Sequence, residues 1–300
     1  MDLSAHLRAR TGAFAITSGA ILWGTTSVVV HAVHAHTGLS AVSIGCYRLL
    51  VAAVVLVALR GPALLRLART VGLRRGVPLV ASGAGLGVYQ ALYFVGVEEA
   101  GVSLATLISI GTAPVVLTLG SAVAAKRRPS GTAFATVACA VGGLALISSS
   151  TGSASGPHPL IGIAASLGSG LTYAGCTALN RRQSDLADPL TLTGAASLIG
   201  ALTLLPIAVT SGMGFPADRP TVSALLYLGV VPTALGYGLF FGGLRSTPYE
   251  VAAVLTLIEP LAATLLAAAL LGETLSSAAT VGAALLLLAL AGLYVRPVLS

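Results

Sequence analysis

Ten apolar runs of about twenty residues fill most of this chain of 300 residues, and they fix the class of protein it can form. An apolar helix of about twenty residues spans the hydrocarbon core of a bilayer, whereas a membrane barrel shows short segments of alternating polarity. Charged residues make up 8% of the sequence, against about a quarter in soluble globular chains. The sequence therefore predicts an all-α, polytopic membrane protein. The predicted spans cover residues 12–33, 40–59, 77–97, 102–124, 130–149, 158–179, 189–210, 221–243, 249–271 and 277–295.

The basic residues predict the orientation of these spans. Of the 16 Lys and Arg residues, fourteen lie in the termini and in alternate loops, which all face one side of the membrane. Arg219 lies in a loop on the other side, and Arg48 lies inside the second span. Because Lys and Arg concentrate in cytoplasmic loops, we expect both termini in the cytoplasm and the protein in the cell inner (plasma) membrane. A net charge of +7 carried by short loops gives no reason to expect nucleic acid as a partner.

The chain also divides into two similar halves. A Ser- and Gly-rich stretch at the midpoint leaves five spans on each side, so we predict repeats at residues 1–150 and 158–300 joined by a linker at residues 151–157. Shifts of 146 to 150 residues align Pro114 with Pro260 and Trp23 with Tyr173. Because five is odd, the second repeat would be inverted relative to the first. Inverted repeats place a binding site near the bilayer midplane and allow alternating access.

The layout and several short motifs resemble the drug/metabolite transporter superfamily and are most similar to its EamA-type branch. The motifs are Tyr47-Arg48, Tyr93-Phe94-Val95-Gly96, Phe240-Phe241-Gly242-Gly243 and Glu259-Pro260. The resemblance covers essentially the whole chain. It implies a secondary transporter, with amino acids and related metabolites as frequent cargo.

One departure from that family pattern concerns its acidic residues. Both halves of such proteins often carry a Glu in the fourth and ninth span regions. Here Ala113 precedes Pro114, and Arg127-Arg128 stand where the second half has Gly272-Glu273. A role that needs a symmetric pair of acids is therefore not expected in this chain.

Glu259-Pro260 is the most unusual pair in the apolar runs. A carboxyl group inside a membrane is costly, so Glu259 is either a proton site, a counter-charge for a substrate amine, or a structural carboxyl bonded to neighbouring helices. Proline removes a backbone donor, so Pro114 and Pro260 are predicted to mark helix breaks or hinges. We expect Arg48, the basic residue within a span, to be a structural arginine bonded to carbonyl groups.

Aromatic residues inside the spans provide the other candidate site residues. Tyr and Trp usually lie at membrane surfaces, and a phenol at greater depth needs a hydrogen-bond partner, so several together predict a polar cavity. The predicted substrate-binding residues are Trp23, Tyr89, Gln90, Tyr93, Tyr173, Tyr237, Phe241 and Glu259.

These residues predict the kind of solute that is carried. A phosphorylated solute would need several fixed cations, and the spans offer Arg48 alone. The predicted function is export of small metabolites, most directly amino acids, by alternating access through a central cavity. Export of organic cations or drugs is the main alternative, and an intramembrane enzyme is a remote one. The sequence leaves open the exact substrate, the direction of transport, proton coupling and the oligomeric state. Nothing in the sequence requires more than a monomer.

The sequence gives no reason to expect an enzyme, a cofactor or a metal. Nucleotide-binding and hydrolase motifs are absent from it. The three cysteines lie in separate apolar runs without the spacing of metal ligands. The histidines His31, His34 and His36 are interpreted as an interfacial cluster, since no Cys or acid nearby in sequence completes a ligand set.

Overall fold

Helices make up the regular structure throughout the described part of the chain in the computed structural model, which covers residues 3–126, 128, 130–149, 157–271 and 276–295. Nine segments of this part are long and apolar enough to cross a bilayer, and a tenth apolar helix, Ser277–Ala291, is shorter. The predicted all-α polytopic class is thereby confirmed. The helices are α1 (Leu3–Thr37), α2 (Ala41–Thr70), α3 (Leu73–Ala100), α4 (Val102–Ala124), α5 (Gly131–Ser149), α6 (Pro159–Gln183), α7 (Pro189–Thr210), α8 (Arg219–Leu228), α9 (Gly236–Leu244), α10 (Tyr249–Leu255), α11 (Ile258–Leu271) and α12 (Ser277–Val295).

The second span is longer than its apolar run. The sequence predicts that helix to end near residue 59, but α2 continues to Thr70, and α3 begins at Leu73 after two connecting residues. Ala, Leu and Arg are strong helix formers, so the polar segment after residue 59 extends the helix beyond the membrane instead of forming a loop. Arg60, Arg66 and Arg69 therefore lie on helix α2.

The connections define two ends of the bundle. We call the end that holds the α2–α3, α4–α5, α6–α7 and α9–α10 connections the basic end, and the other the opposite end. At the basic end Asp188 caps α7 by accepting from the backbone N–H of Thr191, and its carboxylate lies 3.1 Å from Arg60 on α2. Arg245 donates to the carbonyl oxygens of Ser184 and Ala187. These contacts join the second, seventh and eighth spans at the basic end.

At the opposite end two histidines pair with acids from the other half of the chain. His36 lies 2.8 Å from Asp218, the cap of α8, and His158 lies 2.8 Å from Glu99 at the end of α3. The backbone N–H of Thr221 and the neighbouring His36 lower the pKa of Asp218 to about 2. The predicted linker at residues 151–157 lies outside the described residues, apart from Pro157.

Two spans contain interruptions. The eighth span passes through a π segment (Gly229–Leu235) between α8 and α9, and the ninth is broken at residues 256–257 between α10 and α11. Pro260 follows the second interruption, where the carbonyl oxygen of Thr256 accepts from the backbone N–H of Glu259 at 3.0 Å.

A break predicted at Pro114 is not present, because α4 runs continuously from Val102 to Ala124. A proline removes a single backbone donor, and a packed membrane helix tolerates that loss. Pro62 in α2 and Pro78 in α3 show the same tolerance. The predicted helix break is therefore absent at Pro114, and a proline by itself does not break a helix of this bundle. In the ninth span the helix is interrupted at residues 256–257, shortly before Pro260.

The two halves of the chain are interleaved. Helix α1 packs against α9 and α11, α2 against α7 and the π segment, α3 against α6 and α7, α4 against α6, and α5 against α12. Each of these pairs joins a helix of residues 3–149 to one of residues 159–295. The centre of the bundle is consequently a boundary between halves, and side chains of both halves meet there.

Candidate functional site

Four aromatic side chains form a continuous row in the centre of the bundle, and we call it the aromatic row. The ring of Trp23 on α1 lies 4.7 Å from that of Tyr237 on α9, and the ring of Tyr89 on α3 lies 5.4 Å from that of Tyr173 on α6. The hydroxyl groups of Tyr89 and Tyr237 join the two pairs with a hydrogen bond of 2.5 Å. Each half of the chain contributes two of the four rings.

Close helix contacts bring these rings together. A Cβ added to Gly19 would lie 2.7 Å from the carbonyl oxygen of Gly236, so α1 and α9 touch through their backbones one turn before Trp23. On the other side, a Cβ added to Gly85 would collide with the sulfur of Cys176, one turn from Tyr89 and Tyr173. Small residues at these positions let the helix axes approach as membrane helices commonly do.

A cleft leads from the aromatic row towards the basic end. A second, smaller cleft continues it in that direction, and the two share Ser82, Asn180, Ala196 and Phe241. The first cleft is lined by Ser82, Leu86, Tyr89, Tyr173, Cys176, Thr177, Asn180, Ala196, Tyr237, Phe240 and Phe241. Its walls are therefore mostly aromatic and aliphatic, with a few hydroxyl and amide groups.

Two charged residues lie well inside the predicted spans, and neither lines the cleft. Arg48 on α2 is partly buried. Glu259 lies in the first turn of α11 and is also partly buried. Among the described residues, neither side chain forms an ion pair or a hydrogen bond.

Several buried donors on α1 and α2 also lack a partner within the described part of the chain. They are the indole Nε1 of Trp23, the hydroxyl of Thr26 and the Nε of Arg48. Buried polar groups are almost always hydrogen-bonded in folded proteins, so these donors are available to a polar partner. The mostly apolar walls of the cleft, with a few hydroxyl and amide groups, are typical of a small-molecule site.

The remaining predicted site residues are distributed around the row. Phe241 lies in the cleft, next to Phe240. The hydroxyl of Tyr93 bonds Thr106 of α4 at 2.9 Å, closer to the opposite end. Gln90 is buried against Gly45 of α2, and its amide donates to the carbonyl oxygen of Leu86.

The sequence model of the EamA-like transporter family matches this chain twice, over residues 10–149 and over residues 160–295. The chain belongs to the EamA-like transporter family. This membership identifies the chain as a membrane transporter of a small-molecule substrate. The resemblance found in the sequence implies the same function.

Individual relatives of this EamA-like transporter agree with that assignment. It is 32% identical over 210 residues to a protein of Bacillus subtilis named uncharacterized transporter YwfM, and the match covers 70% of each chain. It is 23% identical over 268 residues to the uncharacterized inner membrane transporter YicL of Salmonella typhimurium, covering 88% of each. A solved crystal structure with 22% identity superposes with a TM-score of 0.72 over 96% of both chains and shares the fold. Both relatives are named as transporters and not as enzymes.

Sequence reasoning misses some residues of this EamA-like transporter that surround the row. The sequence predicts that Arg48 bonds carbonyl groups, yet its side chain makes no hydrogen bond with a described residue. A basic residue within a predicted span is itself a sequence feature that could have identified Arg48 as a candidate site residue. Ser82, Thr177 and Asn180 line the cleft, but a few hydroxyl and amide groups in apolar helices carry no pattern that distinguishes them.

Proposed function

We propose that this protein is a secondary transporter that exports small metabolites, most directly amino acids, across the inner membrane by alternating access. Two inverted five-helix repeats, residues 1–150 and 158–300, would form the transport path between them. One observation carries the proposal: the aromatic row is built from corresponding positions of the two halves and lies at the inner end of a cleft.

Pairs of equivalent contacts support the inverted repeat. Trp23 against Tyr237 corresponds to Tyr173 against Tyr89, with sequence shifts of 150 and 148 residues. The Tyr89–Tyr237 hydrogen bond then lies where an axis relating the halves would pass.

Glycine contacts at the two ends of the bundle follow the same relation. A Cβ on Gly12, at the basic end, would lie 2.9 Å from the carbonyl oxygen of Gly243. A Cβ on Gly162, at the opposite end, would collide with the Cβ of Ala100. Gly12 and Gly162 are 150 residues apart in sequence. The same helix contact at opposite ends is what a repeat inverted in the membrane produces.

The position of the cleft supports alternating access. Its lining runs from the aromatic row, where Tyr89 and Tyr237 join the two halves, through Ser82 and Asn180 towards Leu79 and Gln183 on the basic-end side. Breaking that hydrogen bond while the cleft closes would move access from one end to the other. The break at residues 256–257 and the π segment give the ninth and eighth spans places to bend.

The lining of the site favours an amphipathic solute. Aromatic faces bind apolar side chains, and the few hydroxyl and amide groups of the lining can hydrogen-bond a polar head group, which supports amino acids as cargo. Export of organic cations is the second candidate, favoured by the aromatic faces of the row and by Glu259, a carboxyl group within a span. The two candidates differ in whether a carboxylate on the solute is needed.

The test is transport by purified protein in proteoliposomes. Uptake and exchange of radiolabelled leucine and phenylalanine would be compared with those of tetraethylammonium and ethidium. We expect amino-acid exchange, slowed at least tenfold by Tyr237→Ala and little affected by Tyr227→Ala, a tyrosine of the same span outside the row. Movement of the cations without either amino acid would overturn amino-acid export and favour the second candidate.

A further inference from the structure

We propose that Asn180 and Gln183, near the basic end of α6, form an amide subsite that binds the head group of a solute with zero net charge. The matching head group carries a hydrogen-bond donor and an acceptor side by side, as in the zwitterionic head group of an α-amino acid or in a neutral carboxamide. The inference rests on the proposed function and deepens it by naming residues that select the substrate on the basic-end side of the aromatic row.

The two amide side chains lie on one face of α6. Thr177, Asn180 and Gln183 follow one another at intervals of three residues, so their side chains project to the same side of the helix. Thr177 and Asn180 line the first cleft, and Asn180 and Gln183 line the second. At a rise of about 1.5 Å per residue, Gln183 lies about 15 Å along the helix axis from Tyr173 of the aromatic row. The amides are therefore separate from the row and stand in the same path.

The carboxamide of Gln183 is buried without a hydrogen-bond partner. The residue is 6% exposed, and both Nε2 and Oε1 are enclosed with no partner among the described residues. The side chain of Asn180 is partly buried and likewise forms no hydrogen bond with a described residue. A carboxamide has two donors and an acceptor, so enclosing one without partners removes its water without compensation. A polar head group in the cleft supplies the missing partners.

The neighbouring hydroxyl groups do not supply them. The Oγ of Ser82 donates to the carbonyl oxygen of Leu79 at 3.0 Å, and the Oγ1 of Thr177 donates to that of Tyr173 at 2.9 Å. Both oxygens keep lone pairs that can accept from an N–H group of a solute. Phe241 lines both clefts beside the amides and offers an apolar solute side chain a surface to pack against.

The lining of the two clefts is uncharged throughout the part of the chain that the structure describes. A solute with a net charge would lose hydration there without meeting a charge of opposite sign, which is unfavourable. A head group of zero net charge avoids that loss, and its donor and acceptor match the Oε1 and Nε2 of Gln183. The subsite therefore favours zwitterions and neutral amides over amines and carboxylates of the same shape.

The subsite is narrow in this conformation, since both polar atoms of Gln183 are enclosed. Its walls come from α3, α6, α7 and α9, at Leu79, Gln183, Leu192 and Phe241. A shift of these helices, as the proposed alternating access requires, would widen the cleft and admit a solute. The unpaired carboxamide disfavours the narrow state, and a bound head group stabilises the wide one.

The experiment measures direct binding by isothermal titration calorimetry with detergent-purified protein. The titrants are leucine, neutral 4-methylpentanamide, cationic 3-methylbutylamine and anionic 4-methylpentanoate, which all carry a branched apolar chain. We expect each of the first two to bind about tenfold or more tightly than the charged pair, because a charged head group is left without a countercharge. Binding of leucine alone among the four would assign the subsite to zwitterions, and binding of both neutral solutes would assign it to any head group with a donor beside an acceptor.

Variants of Gln183 test whether the preference arises at the subsite. Gln183→Leu keeps the size and removes the polar atoms, so it should weaken binding of leucine and 4-methylpentanamide about tenfold and leave the thermal midpoint unchanged or raised. Gln183→Glu should reverse the preference, so that 3-methylbutylamine binds more tightly than 4-methylpentanamide. Arg182→Gln, exposed on the same turn, lowers the net charge by the same amount and should bind like the wild type. A lower midpoint of Gln183→Leu with unchanged binding would mean a structural side chain and overturn the subsite.

The outcomes separate this inference from the proposed function. Equal binding of neutral and charged solutes by the wild type would overturn the subsite and needs no variant, so a variant that does not fold leaves the proposal testable. Transport of leucine together with wild-type binding by Gln183→Leu would refute the subsite while the proposed function stood. Binding of 4-methylpentanamide that depends on Gln183, without transport of leucine or phenylalanine, would refute amino-acid export while the subsite stood.

Discussion

At the scale of single residues, the hydroxyl pair of Tyr89 and Tyr237 is a weak and reversible connection between the halves. A single hydrogen bond contributes about 0.5–1.5 kcal/mol net, which changes the ratio of two conformations by about twofold to thirteenfold. Both phenols are held by ring contacts to Trp23 and Tyr173, which can persist when the hydroxyl groups separate. A transporter needs conformations of similar free energy, and a contact that contributes so little keeps their free energies similar.

Asp188 shows how one side chain at the basic end joins two spans. It accepts from the backbone N–H of Thr191 at 3.2 Å as the cap of α7 and lies 3.1 Å from a guanidinium nitrogen of Arg60. Partial burial alone would raise the pKa of Asp188, but the hydrogen bonds from Thr191 and the charge of Arg60 outweigh it and lower the pKa. The ionised form is therefore favoured in the folded protein.

We expect Asp188→Ala to destabilise the protein by about 1 kcal/mol through loss of the cap, measured by thermal unfolding in detergent. Because the folded pKa is lowered, the charge of Asp188 stabilises the protein at pH above its unfolded value of about 3.9, and this is lost as pH falls through the lower folded value. The stability of Asp188→Asn should consequently equal that of the wild type at low pH alone.

Asp185→Ala is the control, because the exposed carboxylate of Asp185 lies 3.7 Å from Arg75, and this variant should change stability little. A difference in stability between Asp188→Asn and the wild type that did not vary with pH would contradict the role of the charge.

At the scale of elements, the helices could be predicted because hydrophobic runs are local in sequence. The predicted fourth and seventh spans, residues 102–124 and 189–210, coincide with α4 and α7. The interruptions could not be predicted from proline, since Pro62 and Pro78 lie inside continuous helices while the π segment contains Pro232. Whether a helix breaks depends on the neighbours that satisfy its free backbone groups.

The candidate site is predictable in its residue types and not in its geometry. Depth in a span identifies Trp23, Tyr89, Tyr173 and Tyr237, which the structure brings together as the row. Gln90 has the same depth but turns towards α2, because the direction of a side chain depends on the helix rotation that packing sets. The hydrogen bonds to carbonyl groups that the sequence predicts for Arg48 are not made with described residues, because the sequence cannot show whether carbonyl groups lie within its reach.

Helices α5 and α12 meet through a pair of glycines. A Cβ on Gly143 would lie 2.6 Å from the carbonyl oxygen of Gly282, whereas a Cβ on Gly142 would meet nothing within 4 Å. We expect Gly143→Ala to lower stability by about 1–3 kcal/mol, since backbone atoms cannot rotate away from the added methyl group. Gly142→Ala is the matched control and should leave stability unchanged or raise it by up to about 1 kcal/mol. Equal thermal midpoints for the two variants in detergent would show that α5 and α12 are not in backbone contact.

At the scale of the whole molecule, the interleaved halves determine which motions are possible. Because α1–α5 each pack against helices of the second half, the halves cannot separate as two independent bundles. The proposed change of access would instead shift helices along existing contacts, with the glycine contacts at Gly12 and Gly162 as a close pivot at each end. The aromatic row lies between these ends, so on this proposal tilting about one end would open the path at the other.

Cysteine accessibility tests whether the row closes that path. In a background with Cys46, Cys139 and Cys176 replaced by serine, Asn180→Cys would stand in both clefts on the basic-end side, and Thr106→Cys would stand beyond the row, next to Tyr93. Ser130→Cys, exposed in a basic-end connection, identifies the face that a membrane-impermeant methanethiosulfonate reagent reaches in sealed vesicles.

From the face that labels Ser130→Cys, we expect Asn180→Cys to react at least tenfold faster than Thr106→Cys, because the ring contacts and the Tyr89–Tyr237 hydrogen bond block the route between them. Adding Tyr89→Phe should raise the reactivity of Thr106→Cys from that face, since the row then lacks its hydroxyl link while its rings remain. Equal rates at positions 180 and 106 in the unmodified row would mean that the path is open throughout and that access does not alternate at these residues.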